Sequence, residues 1–433
     1  MPEPVYRQDA VELYHGDCLD VLRDMPAGSV HAMVTDPPAG VAFMNKKWDH
    51  DRGGRDQWVA WLTERMTEAY RALKPGAHAL VWGLPRTSHW TAWALEDAGF
   101  EIRDCVVSLF GTGFPKSVDV SKAIDRLAGV ERDVVGIAHG ALNGNGRNAD
   151  YGAFGSAKDG TYPVTAPATD AAREWDGYGT ALKPAAEYWR ICRKPIKGTI
   201  AANVLEHGVG ALNIDACRVP GVVPQVTQGV TRASATSDAI YGGGKSLRTE
   251  VMQSNPHSAG RWPPNAVFTH QPLIDPDTGD VIGDACADGC VEGCPVLELD
   301  HQTIGMRCKK PAAKGSVAAG GMWGIGGVCN VPDYGDSGSP ARFFPTFRYQ
   351  AKAPTSERPK VNGTAHPTVK SLNLTRWLCK LITPPNGVIL DPFCGTGTTG
   401  EAARAEGFRA ILIDSDPQSI AWSVARLSGA PVS

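Results

Sequence analysis

The 433-residue chain lacks any apolar run near the ~20 residues that a membrane-spanning helix requires. It also lacks a basic, then apolar N-terminal segment, so we expect a cytoplasmic protein with no membrane partner. Positive charge is not in excess either: the formal net charge is −3, which argues against a general electrostatic attraction to nucleic acid. Any affinity for phosphates would then depend on local clusters of Lys and Arg.

A disulfide framework and internal repeats are also missing from the sequence. The 11 cysteines are odd in number and scattered along a long chain, which predicts that most are reduced thiols. Apolar residues make up 42% of the chain, enough for a packed core, while 49 Gly and 32 Pro predict long loops. The composition is that of a large globular protein with irregular connections.

Two regular stretches flank an irregular centre. The first alternates strands with helices and includes a buried strand at Val30–Thr35; the last includes apolar strands at 388–390 and 409–413. The centre is rich in Gly, Pro and Asn and has little periodicity. We therefore predict an α/β fold with a Rossmann-like, mostly parallel sheet, and three segments: 1–135, 136–345 and 346–433.

A glycine turn joins a strand to a helix in the last segment, with the sequence Asp391-Pro-Phe-Cys-Gly-Thr-Gly-Thr-Thr-Gly400. Gly395 and Gly397 permit close backbone approach, and the helix N-terminus offers free N–H groups to an anionic group. Asp414 ends the next strand, where a carboxylate can accept hydrogen bonds from ribose hydroxyls. This pattern alone predicts a nucleotide-type cofactor, leaving open a dinucleotide-dependent oxidoreductase and a plain turn without a ligand.

A rigid loop, Asp36-Pro37-Pro38-Ala39, follows the buried strand of the first segment. Consecutive prolines can extend neither a sheet nor a helix, so the loop could simply end the strand. It also suits chemistry on an exocyclic base amine, whose lone pair is delocalised into the ring. The Asp36 carboxylate and the Pro37 carbonyl could each accept one N–H and localise that pair, once the base has left the duplex.

These two loops resemble the cofactor and catalytic loops of S-adenosylmethionine-dependent DNA amino-methyltransferases. Their order, with the acid-Pro-Pro loop first and a long insert between, resembles the β (permuted) class. The resemblance implies double-stranded DNA as the partner, and it leaves open a homodimer and cognate restriction or defence proteins. The implied catalytic residues are Asp36, Pro37, Pro38 and Ala39. The implied cofactor-binding residues are Asp17, Asp36, His366, Thr368, Lys370, Asp391, Phe393, Gly395, Gly397, Thr398 and Asp414.

Position 39 departs from the family pattern, because relatives usually carry Tyr there, stacked on the flipped base, and this chain carries Ala39. Phe43 or Trp48 could supply the missing aromatic platform. The initial Asp of the loop favours adenine N6 over cytosine N4 as the target. A modified cofactor and a DNA-binding relative without catalysis both stay open.

The central segment, 136–345, is expected to carry target recognition. Several basic residues are candidates for contacts with DNA phosphates, although they could equally form a solvated surface without a ligand. They are Arg190, Arg193, Lys194, Lys197, Lys309, Lys310 and Lys314.

Three cysteines in the same segment, Cys286, Cys290 and Cys294, recur at four-residue spacing. Three thiols so close together predict a structural zinc site, completed by His270, His301 or Cys308, with His270 preferred because it ends a predicted strand at 265–269. Free thiols are the alternative.

Overall fold

A computed structural model describes residues 2–42, 47–110, 117–139, 161–219, 230–232, 250–252, 260–270, 272–274, 281–284, 286, 290–291, 294–301, 342, 344–347, 359–361, 364–365 and 369–429. Several predicted residues lie outside this part of the chain: Phe43, Cys308, Lys309, Lys310, Lys314, His366 and Thr368.

The described strands are short and mostly apolar. They are β1 (Tyr6–Gln8), β2 (Val11–His15), β3 (Val30–Thr35), β4 (Leu73–Gly83), β5 (Glu101–Leu109), β6 (Val134–His139), β7 (Thr161–Thr165), β8 (Ala186–Arg193), β9 (Val230–Arg232), β10 (Glu250–Met252), β11 (Ala266–Thr269), β12 (Pro272–Ile274), β13 (Val281–Asp284), β14 (Thr346–Phe347), β15 (Lys360–Val361), β16 (Thr364–Ala365), β17 (Val388–Asp391) and β18 (Arg409–Asp414).

The described helices mostly begin with a capping side chain that accepts a backbone N–H, as Asp17, Ser371 and Asp416 do. They are α1 (Cys18–Asp24), α2 (Arg55–Ala72), α3 (Ser88–Asp97), α4 (Val120–Leu127), α5 (Asp170–Glu174), α6 (Ile200–His207), α7 (Pro295–His301), α8 (Leu372–Ile382), α9 (Thr398–Ala405) and α10 (Pro417–Leu427).

A ten-stranded sheet organises the described residues, in the order β1-β2-β18-β17-β3-β4-β8-β5-β11-β14. Its strands pair in parallel from β2 to β4 and from β5 to β14, while β1 and β8 run antiparallel to their neighbours. The predicted mostly parallel α/β sheet is therefore confirmed. Strands from the two ends of the chain interleave at its centre, because β17 and β18 lie between β2 and β3.

Alternating side chains of the central strands enter two separate cores. On one face, Met33 packs with helix α2, whose Trp58 and Leu62 are fully buried. On the other face, Val34 packs with α8, whose Leu378 is fully buried. Both faces of the sheet are thus covered by helices, which explains why these strands are continuously apolar rather than alternating.

Two compact units divide the chain differently from the three predicted segments. The larger unit contains residues 1–217, 265–298 and 346–433, and the smaller contains 218–264 and 299–345. Strands β8 and β11, which lie in the segment predicted as an insert, belong to the large sheet. Within the smaller unit, β9 pairs with β10, and Val219 bridges Arg261.

A search of the described helices found none with the length and apolar character needed to cross a bilayer.

Candidate active site

Three acidic residues lie at one edge of the large sheet. Strands β3, β17 and β18 run parallel, so their carboxyl ends meet at the same edge. Asp391 and Asp414 are the last residues of β17 and β18, and Asp36 directly follows β3. In open α/β sheets this edge is where ligands bind. The structure thus brings together two loops that are about 350 residues apart in sequence.

The predicted cofactor loop is a tight turn between β17 and α9. Gly395 and Gly397 have φ angles of 53° and 73°, a region that favours glycine. A Cβ atom on Gly397 would lie 3.1 Å from the Ser423 hydroxyl oxygen, whereas one on Gly395 would meet nothing within 4 Å. The first glycine therefore borders open space, and the second allows the loop to pack on α10. Thr398 begins α9 and is buried.

Asp414 closes this loop from the neighbouring strand. Its carboxylate accepts hydrogen bonds from the backbone N–H of Gly395 at 2.8 Å and of Asp416 at 2.9 Å. Burial nevertheless raises the pKa of Asp414 to about 6, partly offset by these two hydrogen bonds. The carboxylate is thus fixed beside the glycine turn, as a group that binds a ligand's hydroxyls must be.

Asp391 connects the two loops. Its buried carboxylate accepts a hydrogen bond from the Thr35 hydroxyl at 2.7 Å and another from the Phe393 backbone N–H at 3.1 Å. Burial raises the pKa of Asp391 to about 7, with these donors and Thr399 opposing the rise. Thr35 immediately precedes Asp36, so this hydrogen bond fixes the acid-Pro-Pro loop to the glycine turn. Sequence reasoning missed Thr35, because it is an ordinary strand residue.

Asp36 contacts a lysine that was predicted as a cofactor residue. The Lys370 Nζ lies 3.3 Å from Oδ2 of Asp36, 3.5 Å from Oε2 of Glu187, and 3.7 Å from the centre of the Trp82 ring. Burial raises the pKa of Asp36 to about 6; the Lys370 charge lowers it and the Glu187 charge raises it. The lysine therefore favours the ionised carboxylate. Glu187 was missed because its strand, β8, was assigned to the insert.

Side chains of neighbouring residues hold the backbone of the acid-Pro-Pro loop and of the glycine that follows it. The Thr87 hydroxyl donates to the Ala39 carbonyl at 2.8 Å, and the Gly40 N–H donates to Oδ1 of buried Asp49 at 2.9 Å. A Cβ atom on Gly40 would lie 2.7 Å from the Trp58 ring, so only glycine fits there. The loop is thus held by its neighbours although Ala39 provides no aromatic ring.

Pro37 is buried and Pro38 partly buried within this loop. Trp48, a predicted substitute for the missing ring, is 40% exposed. It is therefore accessible to a ligand, while Phe43 lies outside the described residues.

Asp17 lies in a group of charged and aromatic side chains next to the cofactor loop. It caps α1 through the Leu19 N–H, and Arg65 of α2 donates to its Oδ2 at 2.8 Å. Burial alone would raise the pKa of Asp17, but the Leu19 N–H and the Arg65 charge lower it. Arg65 also stacks on Trp61, whose ring centre is 5.7 Å from that of Phe393. Sequence reasoning missed Arg65 and Trp61, which occupy helix positions typical of core packing.

The four predicted zinc ligands come together: one ligand atom from each of His270, Cys286, Cys290 and Cys294 lies within 4.8 Å of the other three. His270 directly follows β11, and Cys294 directly precedes α7.

The prediction that Arg193 and Lys194 contact DNA phosphates is wrong. Arg193 is 7% exposed and donates to Oε2 of Glu101 at 2.7 Å. The Lys194 ammonium donates to the carbonyls of Tyr70 and Leu73 at 2.7 and 2.8 Å. Both residues belong to the framework of the sheet, since β8, which ends at Arg193 and directly precedes Lys194, lies between β4 and β5 rather than in a surface insert.

Comparison with known proteins gives matches to DNA methylases. Residues 307–424 match the family model N6_N4_Mtase, described as DNA methylase. The chain is 27% identical to Type II methyltransferase M.BamHI of Bacillus amyloliquefaciens over 97 residues, which is 22% of each protein. It is 30% identical to Type II methyltransferase M.BglII of Bacillus subtilis over 82 residues, which is 19% of this chain and 21% of that relative.

These alignments span about a fifth of the length of the two relatives. Among solved structures, the PvuII DNA methyltransferase, described as cytosine-N4-specific, is 13% identical and has a TM-score of 0.43, with 100% of this chain and 91% of that chain covered. The family match contains Lys370, the glycine turn and Asp414. Residues 307–424 are therefore similar to the DNA methylases that this family model describes.

Proposed function

We propose that this protein transfers a methyl group from S-adenosylmethionine to the N6 amine of an adenine flipped out of double-stranded DNA. One observation carries the proposal: Asp36 of the acid-Pro-Pro loop is fixed to the glycine turn by the Thr35–Asp391 hydrogen bond. A group that polarises an amine and a turn that holds a methyl donor must lie side by side for direct transfer. Here a single buried contact connects them.

The family implies S-adenosylmethionine as the cofactor, and the donor set fits it. Asp414 would accept the ribose hydroxyls, Gly395 and Phe393 would border the methionine portion, and Asp17 would lie near the adenine. The open space at Gly395 supports this assignment, because a side chain there would occupy the ligand's position. When bound, the cofactor supplies an electrophilic methyl group on a sulfonium.

On the target side, Asp36 and the Pro37 carbonyl would accept the two N–H bonds of the amine and direct its lone pair toward the methyl group. This role requires an ionised carboxylate, because only then does Asp36 act purely as an acceptor. A pKa of about 6 leaves most of it ionised at neutral pH, and the nearby Lys370 favours that form. After transfer the amine carries an extra proton, which Asp36 is placed to receive.

Adenine is preferred because the loop begins with Asp rather than Ser; cytosine N4 is the second candidate. Ala39 supports a third, a relative that binds DNA and cofactor without transfer, since base stacking contributes about 1–3 kcal/mol. Target recognition is assigned to the central segment, 136–345. DNA and S-adenosylmethionine as substrates favour a cytoplasmic enzyme.

The test is transfer from methyl-labelled S-adenosylmethionine to DNA, followed by mass analysis of the nucleosides and single-molecule sequencing for the target motif. We expect labelled N6-methyladenine, abolished in Asp36→Ala and retained in Asp20→Ala, a matched change at an exposed carboxylate (79% of its side chain is accessible). Calorimetry measures cofactor binding in parallel.

Labelled N4-methylcytosine would transfer the assignment to cytosine. If the DNA stays unlabelled while the cofactor still binds, the third candidate, a relative that binds without transferring a methyl group, would be supported. Absence of cofactor binding would refute the proposal as a whole.

A further inference from the structure

The strongest feature that the proposed methyl transfer does not use is the group of His270, Cys286, Cys290 and Cys294. The Nδ1 atom of His270 lies 3.5 Å from the Cys290 sulfur and 3.6 Å from the Cys294 sulfur. All four ligand atoms lie within 4.8 Å of one another. Cys294 is fully buried, and the other three side chains are partly buried.

These distances match a tetrahedral zinc site. With Zn–S bonds of about 2.3 Å and Zn–N bonds of about 2.0–2.1 Å, tetrahedral angles separate nitrogen from sulfur by about 3.6 Å. A disulfide explains the group less well, because it would use two sulfurs at about 2.0 Å and leave the third thiol and the imidazole unused. Cys286, Cys290 and Cys294 form no disulfide with one another or with another described cysteine.

We propose that this group binds one zinc ion through three thiolates and the Nδ1 atom of His270. Binding displaces the three thiol protons to solvent, since thiolates are the ligands, and no electron is transferred. Four protein ligands leave no open coordination position, so the ion is structural rather than catalytic. The proposal is independent of methyl transfer, because it depends only on the position of these four side chains.

The ion would hold one wall of a cleft that is also lined by Lys370, the lysine in contact with Asp36. The backbone N–H of His270 donates to the Phe347 carbonyl, and the neighbouring Thr269 hydroxyl donates to the Leu109 carbonyl at 3.0 Å. Thr269 lines a cleft together with Glu187 and Lys370, the two residues next to Asp36. The metal connects the end of β11 to the start of α7, so it would fix the position of this wall.

The wall is on the catalytic side of the sheet because β11 runs in the same direction as β3. Strand β11 is parallel to β5, β5 and β4 are each antiparallel to β8, and β4 is parallel to β3. The carboxyl ends of β3 and β11, which carry Asp36 and His270, therefore lie at the same edge. The zinc site therefore stabilises the same edge of the sheet that carries Asp36, at a strand several positions away from β3.

The test measures metal content in the purified full-length protein by mass spectrometry. We expect one zinc per chain in the wild type and loss of bound zinc in Cys290→Ser. His270→Cys, which keeps four ligands, should retain zinc. Cys105→Ser, a change at a half-buried free cysteine of β5, is the matched control and should also retain it.

Cobalt substitution of the wild type keeps the test decisive if Cys290→Ser fails to fold. A thiolate-to-cobalt charge-transfer band and the visible bands of tetrahedral cobalt are expected, with the charge-transfer band increasing in His270→Cys. Wild-type protein with neither bound zinc nor these bands would overturn the proposal. Full zinc content in soluble Cys290→Ser would overturn it equally.

Discussion

Replacing Lys370 with methionine should shift the acidic limb of the pH–activity profile. The limb reports ionisation of Asp36, whose pKa is raised to about 6 by burial and lowered by the ammonium 3.3 Å away. Methionine removes the charge and keeps most of the side-chain volume. We therefore expect the limb, measured as kcat/KM with saturating cofactor, to move to higher pH.

The size of the shift follows from the geometry. At 3.3 Å and an effective dielectric constant of about 20, Coulomb attraction amounts to about 5 kcal/mol. The two side chains are 20% and 33% exposed, and Lys370 is shared with Glu187, so solvent screening and competition reduce this several-fold. The attraction that remains, about 1.4–2.7 kcal/mol or one to two pKa units, moves the midpoint from about 6 to roughly 7–8.

The rate should then fall about two- to tenfold at pH 7 and recover above pH 9, because a higher pKa only reduces the ionised fraction below that pH. Lys370→Arg retains the charge and should leave the midpoint close to 6. Glu187→Gln should move it to lower pH, since the Glu187 charge raises the pKa of Asp36. An equal loss of rate at every pH in Lys370→Met would refute electrostatic control and indicate a packing role instead.

Three further outcomes are expected. Arg65→Gln, which removes the partner of the capping carboxylate of α1, should weaken cofactor binding in calorimetry about tenfold, or about 1.4 kcal/mol, whereas the exposed Arg23→Gln should not. Trp48→Ala should weaken DNA binding by about 1–3 kcal/mol if its ring stacks on the base, and unchanged binding in fluorescence titration would exclude it; Trp93→Ala is the control. Burial raises the pKa of Asp391 to about 7, so the folded protein keeps this proton up to near pH 7, whereas the unfolded chain loses it near pH 4. The free energy of unfolding should therefore fall as pH rises from 4 to 7. Urea titrations at pH 5 and pH 8 should show a smaller fall in Asp391→Asn.

The sequence predicts that the two loops meet at one edge of the sheet, because each loop is a short local motif. A glycine turn after an apolar strand and two prolines after another mark the ends of parallel strands, and such ends meet in space. Asp36, Asp391 and Asp414 do lie at one edge of the sheet, while their catalytic and cofactor-binding roles stay predictions. The cysteine spacing likewise predicted a group whose side chains do converge, with His270 at the end of its predicted strand.

The residues that the sequence did not predict correctly owe their positions to tertiary contacts. Glu187 and Arg193 belong to β8, whose antiparallel insertion between β4 and β5 has no local marker in the sequence. Without that pairing, a basic strand looks like a surface feature, and Arg193 was misassigned for this reason. Arg65 occupies a helix position among core residues, so periodicity alone gives it a packing role rather than a contact with Asp17.

The interleaving of β17 and β18 between β2 and β3 has a consequence for biosynthesis. As the chain leaves the ribosome, β2 and β3 appear within the first 35 residues, but the strands that separate them end only at Asp391 and Asp414. Until then each nascent strand has an unpaired edge and an uncovered apolar face, a state prone to aggregation. Closing contacts between such distant segments is entropically costly and slow. We expect folding of the core to be post-translational, and stalled chains shorter than about 414 residues to need chaperone protection.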